Sequence, residues 1–160
     1  MKGNYIPEKT YMEIMDNVPI CTVDVIILNK KRDKLLLFKR TNEPLKGVYF
    51  TIGGRLYKGE SYLQCAMRQA ARELGIAIDP RDATFVGTSR DTHENSAFEN
   101  ISYDAVVILF SYVLDDEDQK FELDEQHDGY RWFSIDDSSL HPLIKERIGM
   151  AQRAFRDRQD

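Results

Sequence analysis

A chain of 160 residues, 42% hydrophobic and 31% charged, suits one globular domain spanning 1–160 with a core large enough to need no staples. Its 22 Lys and Arg against 27 Asp and Glu leave a net charge of −5, which argues against nucleic acid or a membrane surface as partner. No apolar run approaches the roughly 18 residues of a membrane span, and the charged N-terminal stretch does not read as a secretory leader. Residues 8–18 read as a short amphipathic helix entered after Pro7. Residues 20–28, rich in β-branched side chains, and 35–38 read as a hairpin joined by polar residues 29–34. Residues 41–48, with Pro44 and Gly47, form a loop, and a short strand over 49–52 stops at Gly53-Gly54.

The clearest helix is Tyr62–Leu74. Leu63, Ala66, Met67, Ala70, Ala71 and Leu74 make one apolar stripe, Ser61 caps its start and Gly75 ends it. Strands follow at 84–90 and 102–114, with a flexible loop at 93–100 between them. An acidic turn at 115–118 precedes a last strand at 130–133 and a C-terminal helix at 143–156. Hairpin-connected strands mixed with helices, without strict alternation, indicate an α+β fold with a mixed sheet. Cys21 and Cys65 give neither zinc spacing nor a disulfide framework and are expected as reduced thiols of a cytoplasmic protein. His93, His127 and His141 are too scattered for a histidine-rich metal site.

The segment with chemical content runs from Gly53 to Ile76, GGRLYKGESYLQCAMRQAARELGI. Arg68, Gln69, Arg72 and Glu73 share one helix face opposite the apolar stripe, and Glu60 stands just before the helix. On an arbitrary helix this would be a solvated face with ion pairs. Here the spacing resembles the Nudix box: Gly54, Glu60 after five residues, Arg68 after seven more, and a Glu73-Leu74-Gly75-Ile76 ending. The resemblance implies an α/β/α sandwich over nearly the whole chain. Gln69 and Arg72 depart from the pattern, standing where the family has glutamates. Holding several Mg²⁺ ions beside a pyrophosphate takes several adjacent carboxylates. The loss implies either a catalytically dead protein or a different reaction run with one metal.

Residues 124–132, DEQHDGYRW, place Gln126 and His127 before the last strand. With the eroded box, the strand at 22–27, the KRTNEPLKGVYF stretch at 39–50 and Gly53-Gly54-Arg55, the chain resembles the GDP-mannose mannosyl hydrolase subfamily of Nudix proteins. That resemblance implies hydrolysis of GDP-mannose, with GDP-glucose as an alternative, to GDP and free sugar. It implies Mg²⁺, with Mn²⁺ as a substitute, held by the Gly53 carbonyl, Glu73 and Gln126. It makes His127 the general base, Asp24 a catalytic strand carboxylate, and Arg40 and Arg55 the arginines on the diphosphate. Arg68 matches the box arginine, touching substrate or orienting Glu73. A homodimer is implied as well, with segment 1–18 at its interface or packed on its own domain. Where the subfamily has an active-site histidine, Asp91 stands in register and His93 beside it, the latter expected on a mobile surface loop.

The implied chemistry is coherent. A nucleoside diphosphate neutralised by Mg²⁺ and arginines is a good leaving group and needs no protonating acid. The attacking water needs a base, and a histidine suits that near neutral pH. Direct attack at the anomeric carbon inverts it. Two rivals stand beside this expectation: a conventional Nudix pyrophosphohydrolase cleaving at phosphorus, and a non-catalytic Nudix-fold nucleotide-binding or regulatory module.

Overall fold

The run of apolar residues from 20 to 28 belongs to a strand covered on both faces. In a computed structural model that describes residues 4–158, the elements are α1 (Glu8–Asn17), β1 (Ile20–Asn29), β2 (Lys34–Arg40), β3 (Tyr49–Phe50), β4 (Ile52–Arg55), α2 (Tyr62–Leu74), β5 (Thr84–His93), β6 (Tyr103–Leu114), β7 (His127–Ser134) and α3 (Pro142–Arg156). The seven strands form one mixed sheet ordered β3-β2-β1-β6-β5, with β4 paired to β1 and β7 to β2. β1 runs parallel to β6 along its whole length and antiparallel to β2 and β4. This is an α+β sandwich built on one mixed sheet, as expected from the sequence. The first three residues of the expected N-terminal segment, and the last two of the expected domain, lie outside the described residues.

Alternation along β1 sorts its side chains. Val23, Val25 and Ile27 face α2, where they meet Cys65, Ala66, Ala70 and Leu74. Ile26 and Leu28 face α3, where they meet Ile144, Ile148 and Ala151. A third cluster tucks Met15 of α1 against Ile20, Ala105, Val107 and Leu109, so α1 packs on its own sheet. The even positions of β1 therefore point to the α3 side, and Asp24 is one of them.

α2 has the bounds read from the sequence. Ser61 Oγ accepts from Gln64 N, the Gln64 side chain accepts from Ser61 N, and Gly75 closes the helix in the left-handed region at φ 67°. Three elements differ from expectation. Gly53-Gly54 does not stop a strand; both glycines lie inside β4, opposite Asp24 and Val23 of β1. A Cβ on Gly53 would overlap the Asp24 carboxylate and approach the Val23 carbonyl oxygen to 2.7 Å; one on Gly54 would overlap the Gln69 amide. The glycines are there for close approach. Gly53→Ala should lower stability by about 1–3 kcal/mol, the cost of overpacking a filled site, read by chemical denaturation. β5 continues to His93, so that residue ends a strand and does not sit in the loop after it. β7 begins at His127, three residues earlier than expected, placing His127 in the sheet. Among the described residues, no helix is long and apolar enough to cross a membrane.

Candidate active site

Two ion-pairing clusters flank the Gly53-Gly54 pair. The first joins α2 to the start of β7. Gln69 and Glu73 were expected on the polar face of α2, yet both are buried, in a row with Cys65 at four-residue spacing. Glu73 has no exposed surface. Its Oε1 accepts from Arg72 Nη2 at 3.5 Å, while its Oε2 has no hydrogen-bond partner and lies 3.8 Å from His127 Nδ1. Burial pushes the Glu73 carboxyl up to about 8; nearby Asp124 pushes the same way and Arg72 opposes it.

His127 is held from three sides. Its Nδ1 lies 3.0 Å from Asp124 Oδ1, its ring packs edge-on to Phe38 at 5.7 Å, and its backbone pairs with Arg40 of β2. The side chain is 2% exposed. Burial lowers its pKa, with Asp124 opposing. Asp124 can only accept, so the neutral ring carries its proton on Nδ1 and leaves Nε2 as the basic nitrogen. The preceding turn is fixed by Gln126 N donating to Asp124 Oδ1 at 3.0 Å and Thr41 N donating to the Gln126 carbonyl at 2.9 Å.

The donor chemistry suits a divalent cation. Glu73, Asp124 and His127 bring ligand atoms within 4.8 Å of one another, and Glu73 Oε2 is a buried acceptor without a donor. Oxygen donors of this kind suit Mg²⁺. Of the three residues expected as ligands, Gly53 and Gln126 line one cleft of about 620 Å³, together with Gln69 and Arg72; Glu73 follows Arg72 in the chain. Asp124 was not among the residues singled out from the sequence.

Arg55 borders the same cleft. Its Nη2 donates to the Asn4 carbonyl at 2.9 Å, and its guanidinium lies 4.8 Å from the Tyr57 ring. Arg68 is occupied elsewhere: it forms a two-pronged pair with Glu60 at 2.7 and 2.8 Å, donates to the Arg55 carbonyl at 3.0 Å and covers Tyr57 at 3.6 Å. Its polar contacts fix the loop before α2 and not Glu73, and Glu60 is consequently held below the ordinary carboxylate range.

The second cluster lies on the α3 side. Asp24 Oδ2 accepts from Thr51 Oγ1 at 3.0 Å and from Arg147 Nη1 at 2.7 Å, and Arg147 Nη2 donates to Asp91 Oδ2 at 2.6 Å. Arg147 also donates to Thr51 Oγ1 and lies over the Phe50 ring at 4.5 Å. Asp24, Arg40, Asp91, His93 and Tyr103 line a small pocket that shares Gly53 and Gly54 with the larger cleft. Arg40 Nε donates to the Pro44 carbonyl at 2.9 Å. The two arginines expected on a diphosphate therefore stand in adjoining cavities that meet at Gly53-Gly54. Arg147 was not among the residues singled out from the sequence either. Its signal was an arginine in the apolar stripe Ile144, Ile148, Ala151, matched by an aspartate inside the apolar run of β1.

The NUDIX domain family model matches residues 19–154. The chain belongs to the Nudix family. It is 32% identical over 144 residues to the low-salt glycan biosynthesis protein Agl8 of Haloferax volcanii, covering 89% of this chain and 88% of that one. Among solved structures, it resembles the dihydroneopterin triphosphate pyrophosphohydrolase of E. coli, with TM-score 0.65, 17% identity and coverage of 88% and 99% of the two chains. It also resembles the NUDIX domain of Shewanella oneidensis NrtR, a structure solved with ADP ribose, with TM-score 0.64, 18% identity and coverage of 97% and 100%. At these identities the structural likenesses establish the fold alone.

Proposed function

We propose that the protein hydrolyses GDP-mannose, with GDP-glucose as the alternative sugar, to GDP and free sugar in a Mg²⁺-dependent reaction. The observation that carries this is the make-up of the buried row on α2: Glu73 is its single carboxylate, beside a histidine already held in one tautomer by Asp124. One helix carboxylate is a poor fit to multi-metal attack on phosphorus, and a positioned neutral histidine is a good fit to deprotonating water. The glycan-biosynthesis relative is in keeping with a sugar-nucleotide substrate.

In this proposal Gly53, Glu73 and Gln126 would hold the cation, which when bound neutralises the diphosphate as it leaves. Arg40 and Arg55 bind diphosphate oxygens from the two cavities. His127 Nε2 takes the proton of the attacking water, and Asp124 holds the ring that does so. Because the ring is nearly closed off, the 124–127 turn has to open for the water to reach it, a change that substrate binding commonly brings about. Asp24 faces the reacting sugar from β1. A homodimer and a cytoplasmic location remain part of the proposal.

One observation favours a second reading, cleavage at phosphorus: Asp124 supplies a carboxylate that α2 lacks. Hydrolysis in ¹⁸O-labelled water separates the two. Label in the sugar with GDP as co-product is the expected result. Formation of GMP and mannose 1-phosphate would establish the second, and no turnover of any nucleoside diphosphate derivative would leave a binding module.

A further inference from the structure

The α3 side of the Gly53-Gly54 pair holds two aspartates and one guanidinium that the chemistry above does not use up. Arg147 is 1% exposed and Asp91 5%. Asp91 spends Oδ2 on Arg147; its Oδ1 is buried and has no hydrogen-bond partner. Asp24 likewise accepts its bonds from Thr51 and Arg147 on Oδ2, while its Oδ1 lies against Gly53, where only a glycine leaves it room. Both residues line the same pocket, of about 50 Å³. The pocket is far smaller than the adjoining cleft of about 620 Å³, which suits it to the hydroxyl-bearing edge of a ring and not to a whole nucleotide.

We propose that Arg147 is a positioning residue that clamps one oxygen each of Asp24 and Asp91 and so presents the other two as acceptors for adjacent sugar hydroxyls. The inference rests on the reading of the substrate as a nucleotide sugar and names the residues that grip its sugar end. Free carboxylate oxygens accept from hydroxyls and repel phosphate oxygens. The two aspartates therefore select the neutral, hydroxyl-rich end of the ligand, and the anionic diphosphate is left to Arg40 and Arg55. Without the clamp, two buried carboxylates would repel each other and turn away. The fork geometry matters: an arginine reaches both aspartates at once from fixed, coplanar nitrogens, and a lysine cannot.

The test compares wild type, Arg147→Lys and Asp91→Asn. It reads kcat and KM for a panel of nucleotide sugars differing in sugar and base, the inhibition constant of GDP, and the melting temperature. Both variants are expected to raise KM by about tenfold or more, the loss of a hydrogen bond to a charged acceptor. The inhibition constant of GDP, which has no sugar to place, should move by less than about twofold. A purely structural role would move KM and the GDP constant together, or lower the melting temperature without separating them; either outcome, or no change in KM, overturns the proposal. Should Arg147→Lys fail to fold, Asp91→Asn decides, because it keeps the Arg147–Asp24 pair. A wild type that turns over a panel member but neither GDP-mannose nor GDP-glucose refutes the substrate proposed above and leaves this comparison intact. A wild type that turns over no nucleotide sugar overturns both.

Discussion

Replacing His127 with glutamine is expected to lower turnover about 10²- to 10⁴-fold, the span of a lost general base, while leaving the midpoint of the Mg²⁺ titration in place. Glutamine keeps a side-chain amide able to donate to Asp124, as Nδ1 does now at 3.0 Å, and so preserves the 124–127 turn. What it removes is the lone pair on Nε2. The same arrangement fixes the pH profile. Burial holds His127 below the ordinary histidine range, so the basic form persists to lower pH. With Mg²⁺ saturating at every pH, the acid limb of kcat/KM should therefore lie below the ordinary histidine range in the wild type and vanish in His127→Gln. Unchanged turnover would remove His127 as the base. A shifted Mg²⁺ midpoint would make it a ligand instead, alongside Glu73 and Asp124.

Local signals were legible in the sequence where they are self-contained. α2 begins and ends where expected because its capping box and its left-handed glycine are set by residues within the helix and its ends. The β1–β2 hairpin follows from a β-branched run, a second apolar run and the polar turn between them. The departures arise from contacts between distant segments. Gly53-Gly54 looks like a strand stop, and only the Asp24 carboxylate pressed against Gly53 shows that the glycines keep the strand paired. The polar row of α2 looks solvated until the end of β2 and the start of β7 close over it, burying Glu73 and His127 together. Asp124 gave no signal, since its partner lies three residues on in a turn whose geometry Thr41 sets from just past the end of β2. Arg147 did leave one, a charge in an apolar stripe, but identifying Asp24 and Asp91 as its partners required the sheet order.

Replacing Glu73 with glutamine should produce the other large change, in two directions that share a cause. A carboxyl whose folded pKa stands at about 8 binds its proton more tightly in the folded chain than in the unfolded one. Between the unfolded value near 4.5 and about 8, the folded state holds more protons, so raising the pH destabilises the metal-free protein. The slope approaches about 1.4 kcal/mol per pH unit for one such group, a few kcal/mol across the window. The stabilising contribution of the protonated carboxyl is fully present below pH 4.5 and is lost as pH rises through about 8. Glutamine mimics the protonated acid at every pH. The metal-free variant should therefore melt at nearly the same temperature as wild type at pH 5 and several degrees higher at pH 8. A bound cation reverses the preference by stabilising the carboxylate. Wild type should then gain more stability from Mg²⁺ at pH 8 than at pH 5, the variant should gain little at either, and its activity should demand far more Mg²⁺. Calorimetric melting at the two pH values, with and without Mg²⁺, checks all of this. An unaltered Mg²⁺ titration in Glu73→Gln would contradict the ligand role, whereas a flat pH dependence in the metal-free wild type would contradict the buried, proton-holding carboxyl on which that role depends.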